Sequence, residues 1–72
     1  MEWRLLQRLN LRPGLFVSVQ ALREQVWQDE HTEKYTIQRT VSNLRRKLRD
    51  AGMEGVEIDG KEKDHYRLRV HG

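Results

Sequence analysis

Residues 35–52, Y35-TIQRTVSNLRRKLRDA-G52, decide how the rest of the chain reads. Ile37, Val41, Leu44 and Leu48 fall at relative positions 0, 4, 7 and 11. That spacing lines four branched apolar side chains along one stripe of an α-helix. The opposite, outward face carries Thr36, Arg39, Thr40, Asn43, Arg46 and Lys47. Thr36 has a side chain able to accept a hydrogen bond from the first turn, which sets the helix at 36–51. Gly52 suits the left-handed residue just past its end. Arg45, Arg46, Lys47 and Arg49 crowd the last turns, where the helix dipole favours cations.

The charge is distributed unevenly. The 72-residue chain carries a net +3 from fourteen Lys and Arg and eleven Asp and Glu. Six of those cations and none of the acids lie between Lys34 and Arg49, so the remainder, eight cations against eleven acids, is net −3. One element therefore holds an oriented anion-binding face on an otherwise slightly acidic body. A solvated helix that is merely basic would share the stripe, and the flanking segments decide between the two readings.

Working backwards, Leu5, Leu6 and Leu9 form a helical stripe in MEWRLLQRLNL, extended by Trp3 or Met1. Arg12-Pro13-Gly14 ends it with a turn. Leu15-Phe16-Val17 is a short β-prone run. Ser18 is an N-cap signal before VQALREQVW, whose Val19, Leu22 and Val26 share a face with Trp27 beside them. QDEHTEK connects that helix to the basic one, although Thr32 could open the basic helix early. Working forwards, the period changes after Gly52. Val56 and Ile58 alternate with acids, and Tyr66, Leu68 and Val70 with Arg67 and Arg69, which predicts two half-buried strands. Asp59 to Asp64 forms the tip of their hairpin.

The expected order is helix, short strand, helix, helix, strand, strand. It predicts one α+β domain over residues 1–72: a winged helix-turn-helix, with a three-helix core and a C-terminal β-hairpin wing at 56–70. Such a chain buries only about 60% of its unfolded surface, which makes a large enclosed active site improbable. No cysteine is present, so no disulfide or thiolate metal site staples the fold. That is consistent with a cytoplasmic protein, and no apolar run reaches membrane-spanning length. His31, His65 and His71 lack metal-ligand spacing, no cofactor motif is present, and Ser18 with Glu24 has no catalytic partner set. The chain is not expected to be an enzyme.

Three blocks carry a resemblance. PGLFVSVQALREQVW, TIQRTVSNLRRKL and HYRLRV are similar, in that order, to the strand and second helix, the recognition helix and the terminal strand of OmpR/PhoB-type effector domains of bacterial transcription regulators. The resemblance implies sequence-specific binding of double-stranded DNA, with helix 36–51 in the major groove and the hairpin on flanking backbone. Two departures stand out. The family usually has a sheet before the first helix, and this sequence starts at that helix, as a minimal version or with a partner covering the face. Where the family's wing commonly reads R-G-x-G, this chain has Glu62-Lys63-Asp64-His65.

Thr36, Arg39, Thr40 and Asn43 are the expected base-edge residues: Arg suits guanine, Asn adenine, and a threonine methyl the thymine methyl. Arg46 and Lys47 are expected at phosphates, with Lys61 and Lys63 as substitutes for the wing arginine. Arg45 and Arg49 sit nearer the core boundary. Trp27 and Tyr66 are expected in the core. A dimer, or a fused or partner regulatory domain, would supply the extra base pairs that one module lacks. The competing expectation is a protein-docking module using the first-helix face, with Trp3 or Leu5 as contacts.

Overall fold

The computed structural model describes residues 1–71. Three helices and three short strands follow in the expected order: α1 (Glu2–Asn10), β1 (Val17–Ser18), α2 (Val19–Leu22, continuing as a π-helical turn Arg23–Trp27), α3 (Lys34–Asp50), β2 (Val56–Asp59) and β3 (His65–Val70). The sheet is antiparallel with order β1-β3-β2. This is the winged-helix arrangement.

Each helix places its apolar stripe on a common core. Leu5 and Leu9 come from α1, Leu22 and Val26 from α2, and Ile37, Val41, Leu44 and Leu48 from α3. Val17, Ile58 and Leu68 close the core from the sheet side, Val19 joins it from the start of α2, and Trp27 and Tyr66 pack against its edge as expected. Val70, expected to alternate inward, is 58% exposed at the end of β3.

The connections show why the elements stop where they do. Gly14 adopts φ +86, and its N–H donates to the Leu68 carbonyl at 2.7 Å. The turn continues through Leu15, whose N–H returns to the Arg12 carbonyl, so the strand begins two residues later than the β-prone run suggested. Phe16 lies under the Arg67 guanidinium, 4.5 Å from its ring centroid. Ser18 ends β1 and caps α2, accepting from the Ala21 N–H at 3.0 Å.

Thr32 does not open α3. Its N–H and hydroxyl both donate to the Asp29 carbonyl, while Arg23 donates to the Thr32 carbonyl at 2.7 Å. The helix starts at Lys34 with Glu33 at the capping position, so Thr36 lies within the first turn and is not the cap. The C-terminal end follows the sequence. Gly52 has φ +73, Gly52 N–H donates to Arg49 and Met53 N–H to Leu48, which is the Schellman arrangement.

Candidate nucleic-acid interface

The two flanks of α3 face different neighbours, and this defines what remains for a ligand. On one flank Lys47 Nζ reaches Glu2 Oε1 of α1 at 2.8 Å. Thr40 shares that flank, seven residues earlier. It is 8% exposed, and its hydroxyl donates to the Thr36 carbonyl at 2.9 Å. The expectation that Thr40 faces outward is therefore corrected: it is buried, and its hydroxyl is turned back onto the helix backbone. The opposite flank faces the sheet, where Arg45 donates to the Ile58 carbonyl of β2 through Nε at 3.2 Å and Nη2 at 2.9 Å. The sequence puts Arg45 near the core boundary. It pairs with strand backbone.

Between the flanks runs an exposed ridge of Tyr35, Arg39, Ser42, Arg46 and Arg49. Their spacing of four, three, four and three is the antipode of the buried stripe. Arg39 and Arg46 are where the sequence placed them. Thr36 is exposed and Asn43 half-buried at the ridge margin. Tyr35, 66% exposed, and Ser42 and Arg49 were missed as candidates. The signal was available: stepping by three and four from Arg39 and Arg46 reaches all three, whereas a face drawn through Thr36, Asn43 and Arg46 also took in Thr40 and Lys47 on its margin.

Lys47 is exposed, yet its ammonium is engaged. Its hydrogen bond, with help from Glu2's own backbone N–H, draws the Glu2 carboxyl from an ordinary 4.5 down to about 2. Among the described residues, no acidic group lies within ion-pair distance of Arg39, Arg46, Arg49, Lys61 or Lys63. Acids instead engage cations beside the ridge: Glu2 with Lys47, and Asp64 with Lys34.

Lys61 and Lys63 stand exposed at the hairpin tip. The tip is anchored by Asp59, 6% exposed, a residue the sequence reading passed over. Asp59 Oδ1 accepts from the Lys61 N–H at 2.9 Å, and Oδ2 from Arg67 Nε at 2.8 Å. These contacts, the backbone N–H first, hold its carboxyl below the usual range despite burial.

A single basic ridge on a helix, with two exposed lysines, Lys61 and Lys63, on the hairpin tip beside it, is an arrangement suited to a polyanion. The model of the family Transcriptional regulatory protein, C terminal, matches residues 1–68. The chain belongs to that family. Its members are the OmpR/PhoB-type DNA-binding domains of transcription regulators, which is not a catalytic family. No curated protein matches the chain. In the winged-helix fold of that family the β2–β3 hairpin is the wing. Among the described residues no group of side chains could hold a metal ion, and no helix is long and apolar enough to cross a membrane. The first-helix face presents Met1, Trp3 and Leu11 to solvent, but Leu5 is fully buried, so of the two docking contacts expected there only Trp3 is accessible.

Proposed function

We propose that this chain is a sequence-specific double-stranded DNA-binding module of a transcription regulator, with α3 in the major groove and the wing on the flanking backbone. The observation that carries the reading is the ridge of α3, which has no acid from Tyr35 to Arg49 and meets one only at Asp50, the helix end, while the neighbouring acids Glu2 and Asp64 engage Lys47 and Lys34 beside it. A helix with its side chains is roughly 10–12 Å across and the major groove about 12 Å wide, so the ridge can enter. Arg39 reads guanine and Asn43 adenine, while the Thr36 methyl touches thymine. Arg46 binds phosphate, joined by Arg49. Lys61 and Lys63 meet backbone beside the site, and the engagement of Lys47 by Glu2 leaves it a minor contact. One module spans few base pairs, so useful selectivity calls for a dimer, tandem sites or a fused domain.

Substitution separates base reading from phosphate binding. Arg39→Ala or Asn43→Ala should cost roughly 1–3 kcal/mol on the best site and little on random duplex, because a base contact is lost. Arg46→Ala should weaken all sequences alike. Titrations of selected and random duplexes check this, and equal losses on both for Arg39→Ala and Asn43→Ala would remove the assignment of base readers.

A further inference from the structure

The hairpin is fastened to α3 at two places. One is Arg45, donating to the Ile58 carbonyl of β2. The other is the ion pair between Lys34, at the start of α3, and Asp64, just before β3. Eleven residues separate Lys34 from Arg45, or about 16 Å along a helix. Two fastenings that far apart fix a direction as well as a position.

Asp64 is more than one half of that pair. Its backbone carbonyl accepts from the Val19 N–H at 2.8 Å, at the start of α2. Its φ of +58 is left-handed, a conformation that Asp and Asn tolerate better than most residues. One residue thus joins the wing to the first turns of both helices of the helix-turn-helix. Charge-assisted hydrogen bonding to Lys34 also holds its carboxyl below the usual range.

We propose that Asp64 is a positioning residue that fixes the angle between wing and recognition helix, and thereby sets how sharply the domain discriminates its site from other duplexes. The inference rests on the DNA-binding reading above. Both side chains of the pair are nearly half exposed. Such pairs contribute little to global stability, so the pair acts on orientation and leaves the fold alone. Released from Lys34, the tip at residues 60–64, which lies beyond the part of β3 that pairs with β1, shifts relative to α3, and wing tip and ridge no longer meet the same stretch of backbone in register.

The test uses a duplex selected from a random pool by the wild-type chain, with a random duplex as reference. Asp64→Asn keeps the carbonyl and a residue suited to left-handed φ but loses the charge. Lys34→Met removes the other partner, and Lys34→Arg preserves the pair. Asp64→Asn makes the protein more positive and Lys34→Met less, so charge alone moves their affinities in opposite directions. Positioning instead predicts that both lower the ratio of selected to random affinity, roughly tenfold if one base contact is lost, while Lys34→Arg retains it. Melting temperatures should stay near wild type. If Asp64→Asn raises both affinities equally and leaves the ratio intact, Asp64 is only a nearby charge and the inference falls. If the wild-type chain binds no duplex, the DNA-binding reading falls instead. Residual dipolar couplings then judge the positioning separately: an altered hairpin direction relative to α3 in Asp64→Asn supports it, and an unchanged one overturns it.

Discussion

Lys47 and Glu2 lie 45 residues apart in sequence and 2.8 Å apart in the fold, and their contact changes what each does. Glu2's carboxyl is depressed, chiefly by that hydrogen bond, from 4.5 to about 2. A depressed acid contributes stability that is present above its unfolded value and lost as pH falls through the folded one. The share from Glu2 is therefore complete above about pH 4.5 and disappears between there and about pH 2. Glu2→Gln should flatten the fall in stability across that window without abolishing it, because Asp59 and Asp64 are also depressed. Urea melts at stepped pH would show it, and an identical pH profile would mean the pair is not formed in solution. Thr40 illustrates the same dependence on a neighbour. Its hydroxyl only supplements a helix carbonyl, so Thr40→Val should change stability by no more than about 1 kcal/mol and leave duplex affinity unaltered. A loss of affinity like that of Asn43→Ala would place Thr40 back on the binding face. Neither residue's partner was legible in the sequence: a polar side chain at the margin of a stripe reads the same whether water or the rest of the fold covers it.

At the scale of elements, α3 was the most legible because independent signals agree along its length. Its four stripe residues are each no more than 2% exposed, and Gly52 takes the left-handed turn that stops it. Leu44→Ala should therefore cost roughly 2–5 kcal/mol. Gly52→Ala should cost about 1 kcal/mol from backbone strain alone, since a Cβ there meets no other atom. Thermal melts distinguish these, and a smaller loss for Leu44→Ala than for Gly52→Ala would contradict the packing. The start of α3 was less legible, since the Arg23–Thr32–Asp29 hydrogen bonds of the preceding loop place Glu33 at the cap. The π-helical turn at the end of α2 left no mark either: Val19, Leu22 and Val26 keep an α-helical spacing in sequence. The wing was legible as two alternating strands. Its anchor was not, because Asp59 looks like any polar tip residue until Arg67 is seen opposite it.

For the molecule as a whole, the distribution of charge matters more than its sum. The body is net negative outside the 34–49 segment, and its acids draw Lys34 and Lys47 away from the ridge. Arg39, Arg46, Arg49, Lys61 and Lys63 remain for a duplex. On random DNA, where Arg39 finds no preferred guanine, all five fall on phosphates. Each neutralised phosphate releases condensed counterions, so log affinity should fall with log salt at a slope of about −4.5. Between 50 and 200 mM salt that is a loss of roughly 500-fold. Glu2→Gln should steepen the slope by about one, because the freed Lys47 becomes a sixth phosphate contact. At low salt the same variant should bind random duplex more tightly than wild type, although its fold has lost an ion pair. Fluorescence anisotropy with a random duplex over a salt series reads both quantities. A wild-type slope near zero would remove the electrostatic ridge as the binding face. A normal slope that Glu2→Gln leaves unchanged would show that Lys47 already reaches the backbone despite Glu2, and that the acid on α1 does not trim the face.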